Sequence, residues 1–252
     1  MKKLLQTLAI AAVLACMASS TAQAQQLITN GGFESGFAGW TRSDQVGSES
    51  TWLLQSGTTS PVNGFTVPAP PGGTRAAMTD AMGPGSHVLY QDIVVPAAPG
   101  AAMLSFSLYI NNHTTAFSTP NSLDFSTPAL NQQFRVDVIT TSADPFSVAV
   151  GDVLLAVYQT AVGNPLISGY TTISADLTAL FASRAGQTLR LRFAEVDNVN
   201  AFNAGVDNVS LVNGPVASVP ESGETVALLF SSVSLLGLLV LKQRRTAEFV
   251  RG

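Results

Sequence analysis

Apolar and polar residues alternate with a period of two over much of the chain. Leu104, Phe106, Leu108 and Ile110 interleave with Ser105, Ser107 and Tyr109. Phe134, Val136 and Val138 alternate with Arg135 and Asp137, and Leu189, Leu191 and Phe193 with Arg190 and Arg192. Successive strand side chains point to opposite faces, so each run has one buried face and one wet face. Further strands are expected over residues 52–55, 75–79, 88–95, 153–159, 170–174 and 206–212. Only residues 176–183 (DLTALFAS) carry a helical pattern, with Asp176 as the cap. Short strands divided by Gly, Pro, Asn and Ser, with no helices between them, predict an all-β sandwich.

Both ends of the chain break this pattern. Met1, Lys2 and Lys3 are followed by an apolar stretch over 4–17 and a small, polar stretch over 19–25. Ala22-Gln23-Ala24 fits the small-x-small rule, so residues 1–24 read as a secretory signal peptide. An N-terminal membrane anchor is the alternative, but the apolar run is short and ends in a cleavage site. Val13-Leu14-Ala15-Cys16 loosely resembles a lipoprotein processing box, yet the residues after Cys16 continue the signal peptide. Cys16 is the only cysteine. Cleavage after Ala24 therefore leaves a chain with no thiol nucleophile, thiolate metal site or disulfide.

At the other end, residues 225–241 (TVALLFSSVSLLGLLVL) carry no charge over 17 positions, the lower limit for a helix that crosses a bilayer. Lys242, Arg244 and Arg245 follow, and basic residues hold such an end in the cytoplasm. The expected layout is a domain over 26–213, a linker over 214–224, the transmembrane helix over 225–241 and a basic tail over 242–252.

Ahead of the helix stand Val219, Pro220, Glu221, Ser222 and Gly223. Motif, helix and basic terminus in this order resemble the PEP-CTERM class of exosortase sorting signals, closest to its VPDSG variant with Glu221 in place of Asp. The resemblance covers residues 219–252. It implies an exosortase-like processing enzyme as partner, a membrane-anchored precursor, and delivery to the cell surface or an exopolysaccharide matrix.

From 26 to 218 the chain has six Arg, no Lys and thirteen Asp plus Glu, a net charge of −7. That balance argues against nucleic acid and anionic headgroups as partners and suits neutral glycans or divalent cations. No Gly-x-Ser-x-Gly elbow, His-Glu-x-x-His, phosphate loop or dinucleotide fingerprint is present, so no enzyme is expected. His87 and His113 are far apart in sequence. His87 sits in an apparent strand, where a lone histidine reads as a surface or satisfied residue.

Asn30-Gly31-Gly32-Phe33-Glu34 with Gly39-Trp40 opens the domain, and Val206-Asp207-Asn208-Val209-Ser210-Leu211 closes it. This frame resembles the galactose-binding-like jelly rolls, among them carbohydrate-binding modules. The resemblance implies a jelly-roll β-sandwich whose first and last strands lie together, bringing Glu34 near Asp207. It also implies a structural calcium held by Glu34, Asp207 and a carbonyl near Gly32. Calcium takes six to eight hard oxygens, a role carboxylates and carbonyls fill. Equally, Glu34 reads as a turn cap and Asp207 as a cross-strand acceptor. The NGGFE…GW context makes Trp40 a core residue rather than a stacking platform.

Residues 111–132 form the longest irregular stretch. Its Asn111, Asn112, Phe117 and Phe125 combine amides and aromatic rings, which suit sugar hydroxyls and apolar sugar faces. The competing reading is a mobile loop whose two Phe side chains tuck into the core. Glu195 and Asp197 share one strand face and raise a glycosidase possibility. A solvated acidic pair on a hairpin, with 200–205 as the turn, is the simpler expectation. The function expected is a non-catalytic module for glycan or exopolysaccharide. A structural or adhesive matrix protein is the alternative, and a hydrolase a weaker third.

Overall fold

The computed structural model describes residues 24–79 and 83–215. The signal peptide up to residue 23, the sorting motif, the apolar segment 225–241 and the basic tail lie outside the described residues. No helix among the described residues is long and apolar enough to cross a membrane.

Two antiparallel sheets form a sandwich. The first runs β3 (Leu53–Gln55), β4 (Ala76–Thr79), β11 (Phe202–Gly214), β6 (Ala101–Asn112) and β9 (Ile167–Asp176), with β1 (Gln25–Gln26) also paired to β11. The second runs β2 (Thr41–Asp44), β5 (Gly85–Val94), β10 (Thr188–Asp197), β7 (Gln132–Thr140) and β8 (Val153–Gln159). The all-β sandwich agrees with the alternation in the sequence, and its jelly-roll class with what the resemblance of the opening and closing motifs implies. The apolar rows read there meet between the sheets: Phe106 of β6 packs edge-on against Phe193 of β10, ring centroids 5.2 Å apart. Trp40 and Trp52 are both core residues.

The expected pairing of first and last strands is present, Gln25 opposite Asn213 and Gln26 opposite Val212. Gly31 explains the tight fit of the opening motif onto β11. A Cβ there would stand 1.8 Å from the Val209 carbonyl oxygen, while the Gly31 carbonyl accepts the Val209 N–H at 2.9 Å. The helix α1 (Thr178–Ser183) starts two residues later than expected. Asp176 still serves its start, accepting the Thr178 N–H at 2.8 Å.

One topological expectation is corrected. β10 and β11 are not a hairpin: β10 pairs with β5 and β7, whereas β11 pairs with β1, β4 and β6. Residues 198–201 carry the chain from one sheet to the other. The cause is that both strands bury an apolar row, Leu189–Leu191–Phe193 and Phe202–Ala204–Val206, in the same core. Those rows meet face to face across the interior.

The outer face of the second sheet carries a buried ionic group. Asp137 accepts hydrogen bonds from Arg135 (Nε to Oδ2 and Nη2 to Oδ1, both 2.7 Å) and from Nε and Nη2 of Arg192. Arg192 Nη1 also donates to the carbonyls of Pro145 (2.8 Å) and Ser147 (2.7 Å), tying the 144–148 loop over this face.

Candidate functional site

Glu34 and Asp207 converge on the 72–75 turn. Glu34 accepts the Thr74 N–H (2.7 Å), the Thr74 hydroxyl (2.7 Å) and the Arg75 N–H (2.8 Å). Asp207 accepts the Gly72 N–H at 3.0 Å and the Asn208 N–H at 2.6 Å. It sits at a bulge in β11, where Asn208 turns to φ +51°, so the local irregularity aims the carboxylate at the turn. Gly32 lies alongside: a Cβ there would be 3.8 Å from Asp207 Oδ1.

Burial pushes the Asp207 carboxyl up to about 6, the Asn208 and Gly72 N–H groups oppose the rise, and the charge of Glu34 adds to it. Glu34 itself is held below the usual carboxylate range, chiefly by its bonds to Thr74 and then by Arg75. Two carboxylates near enough to repel suit a cation in charge. No group of three or more His, Cys, Asp or Glu suited to a metal occurs among the described residues. Backbone carbonyls and water would therefore have to complete any calcium shell.

The four residues expected to bind ligand do not line one surface. Ile110 is in the core, so alternation sends Asn112 inward and Asn111 outward. Phe117 is core, packed edge-on against Phe202 at 5.8 Å. Phe125 lies on the outer face of the second sheet with the Val88, Ala194 and Val196 cluster. A cleft of about 430 Å³ beside it is lined by Gln45, Asn121, Asp124, Asp144 and Phe146. The Asp124 carboxyl is held low by hydrogen bonds from Gln45 and Ser126.

Asn111 lines a groove of about 470 Å³ on the outer face of the first sheet, together with Thr66, Pro68, Tyr109, Ile167 and Ser168. Within this lining, the ring of Tyr109 packs against that of Tyr170, centroids 5.6 Å apart. Tyr170 donates from its hydroxyl to Gln55 Oε1 at 2.8 Å. Gly205 makes room for it, since a Cβ there would lie 2.5 Å from that hydroxyl. Burial raises the Tyr109 phenol, and a hydrogen bond with the Asn111 side chain opposes the rise. Asn111 is only 8 % exposed, and its Oδ1 has no hydrogen-bond partner.

Glu195 and Asp197 are not solvated. They share the parity of Leu189, Leu191 and Phe193, so they face the interior, with exposures of 0 % and 1 %. The Asp197 carboxyl accepts the Gly85 N–H at 2.9 Å. Burial pushes it up to about 8, the Gly85 N–H opposes that, and the charge of Glu49 adds to it. His87, also fully buried, places Nδ1 2.8 Å from Asp44 Oδ1. Sequence reasoning missed this interior polar group, although the parity of the β10 row carried the signal.

No protein-family model matches the sequence, and no curated protein matches it. Among solved structures, the chain is similar to a cleaved adhesin domain of Lys-gingipain from Porphyromonas gingivalis. That match has a TM-score of 0.47 and 15 % identity, covering 76 % of this chain and 99 % of the other. It is similar to TmCBM61 in complex with β-1,4-galactotriose, at TM-score 0.44 and 11 % identity over 75 % and 99 % of the two chains. It is also similar to a Stig cyclase from Fischerella sp. TAU, at TM-score 0.45 and 18 % identity over 77 % and 100 %.

Proposed function

We propose that the chain is an exported, non-catalytic module that binds glycan or exopolysaccharide in the groove on the outer face of the first sheet. The observation that carries this is Asn111: a nearly buried amide whose oxygen has no partner, in a residue that lines a groove with Pro68, Tyr109 and Ile167. Leaving such an acceptor unsatisfied costs about 1–3 kcal/mol, and a ligand hydroxyl would recover it. Pro68 and Ile167 offer apolar surface for the flat face of a sugar ring. The address rests on the sequence, through the signal peptide, the 219–223 motif, the apolar segment and the basic tail. With them come the exosortase-like enzyme and the membrane as partners of the precursor.

The test is retention on a polysaccharide array, including the producer's own exopolysaccharide. Retention is expected, and Asn111→Ala should weaken it roughly tenfold, the value of one hydrogen bond. No retention on any glycan would leave a structural or adhesive matrix protein.

Calcium belongs to the same proposal, held by Glu34, Asp207 and a carbonyl near Gly32. Ligands that bind only the native state raise its stability. Adding a chelator should therefore lower the melting temperature of the wild type and leave that of Asp207→Ala unmoved. A wild type indifferent to the chelator would remove calcium from the account.

A further inference from the structure

Edge strands present a row of unpaired backbone groups, and native sheets guard them with short strands, charges, Pro or bulges. Here the first sheet ends at β3 and β9, with the short β1 beside β11, and the second ends at β2 and β8. β1 and β3 are two and three residues long. β2 has four residues, among them Arg42 and Asp44. β8 is bent by two shifts of register against β7. β9 has no such guard along most of its length. Ile167–Asp176 runs ten residues without Pro, Lys or Arg, and its one charge is Asp176 at the end. Its irregularity lies between Ser168 and Thr171, and pairing is regular from Thr171 to Asp176.

The register tells which backbone groups are free. The Asn112 N–H donates to the Leu166 carbonyl at 2.8 Å, and the Leu177 N–H to the Ala102 carbonyl at 2.7 Å. Even-numbered β6 residues therefore turn their backbone groups toward β9. Their partners Thr171, Ile173 and Ala175 turn theirs back. The N–H and C=O groups of Thr172, Ser174 and Asp176 point the other way, off the sheet. None of them bonds to another of the described residues, and all three residues are exposed. Ile167, at the start of the same edge, is 66 % exposed.

We propose that this edge pairs with the same edge of a second copy, antiparallel, joining two first sheets into one. The strand is complementary to itself. A register centred on Thr172 sets that residue opposite its counterpart, a Thr–Thr pair of the kind that stabilises antiparallel strands, and sets Ser174 opposite Tyr170. Charge favours this edge over the rest of the surface. Residues 26–218 carry a net charge of −7, so copies repel one another. On β9 no charge meets another. Each Asp176 comes opposite Ser168 of the other copy, which leaves the two carboxylates about 27 Å apart along the strands. Charges are screened beyond about 8 Å at physiological salt.

The pairing also arranges the grooves. Antiparallel copies are related by a two-fold axis perpendicular to the sheet, so both outer faces stay on one side. Each groove, lined on the β9 side by Ile167, Ser168 and Gly169, borders the join, and both open in the same direction. One polysaccharide chain or two neighbouring chains can then be held at two points, which raises retention without any new contact. The pairing itself needs no ligand, so it and the groove reading can fail separately.

The experiment is cysteine cross-linking of the full-length chain. Cys16 is the only native cysteine, and wild type supplies the background. Opposed residues in a hydrogen-bonded antiparallel pair have Cα atoms about 5.5 Å apart, within the range of a disulfide. Under mild oxidation Thr172→Cys should give a covalent dimer, while Val150→Cys, at a fully exposed site on a loop, should stay at background. Thr172→Lys sets two ammonium groups face to face, and its sedimenting mass should fall from two chains to one. Asn111→Ala in the Thr172→Cys background should cross-link as well as Thr172→Cys alone. Cross-linking of Thr172→Cys no better than that of Val150→Cys, or a mass unchanged by Thr172→Lys, would overturn the proposal.

Discussion

Replacing Asp137 with alanine is expected to destabilise the domain by about 3–5 kcal/mol, the usual cost of removing one member of a buried ion pair. For a domain of this size that is a fall in melting temperature of roughly 6–20 °C. Asp137 is fully buried and is the carboxylate shared by Arg135 and Arg192. Its removal strands two guanidinium groups, one 5 % and the other 0 % exposed. Burial already presses the Arg192 pKa down, and the charge of Asp137 is the main influence holding it up. Replacing all three by apolar residues of similar volume should cost less than the single change, because no charge is then left unpaired. Thermal and urea unfolding of the single and triple variants checks both statements. A loss under about 1 kcal/mol for Asp137→Ala would mean that water reaches the arginines, as at an exposed pair.

The second large effect is on pH dependence. Asp197 has a folded pKa of about 8 against an ordinary value of 3.8, so the native state holds this proton far more tightly than the unfolded chain. Its contribution is complete below the unfolded pKa and is lost as pH rises through the folded one, at up to about 1.4 kcal/mol per pH unit. Without calcium, Asp207, raised to about 6, adds the same sign over a narrower window. Glu34, Asp124 and Asp176 are lowered, so their contributions fade only as pH falls below the ordinary carboxylate range. Stability should therefore decline from about pH 5 to about pH 8. Asp197→Asn keeps an acceptor for the Gly85 N–H and removes the titration, so its curve should be flatter and lie above the wild type at alkaline pH. Urea unfolding across this range tests it, and parallel curves for the two proteins would refute the assignment.

The strands were legible where one face is apolar. β8 is observed over the residues expected, and β6, β7 and β10 extend the expected runs at both ends. β2 was not legible: Thr41–Asp44 is an edge strand with no apolar residue, so nothing in its composition marks a buried face. The approach of Glu34 to Asp207 was legible through the jelly-roll resemblance. The 72–75 turn between them was not, because it is joined by hydrogen bonds that span 40 and 135 positions in sequence. Asn111 and Asn112 were read as one ligand patch. Continuing the alternation of Leu108 and Ile110 by one step separates them, Asn112 into the interior and Asn111 onto the outer groove. The same continuation from Phe193 would have turned Glu195 and Asp197 inward. Period two was visible in each case. What a single strand does not reveal is how far its buried face runs before the sandwich ends.

The long pairing of β6 with β11 also has a mechanical consequence. Eleven register pairs join them, from Phe202 opposite Asn112 to Gly214 opposite Ala101. Asn111 is near one end of this ladder, and the chain leaves it at the other, after Gly214. A pull between a ligand at Asn111 and a tether beyond Gly214 would run along the two strands. Antiparallel hydrogen bonds lie perpendicular to the strands, so such a load falls on them in shear and all together. β1 is held to β11 by only two register pairs, so a pull on the N-terminus meets far fewer of them before that strand comes away. The domain is therefore strong when hauled from its C-terminal end and weak when hauled from its N-terminal one.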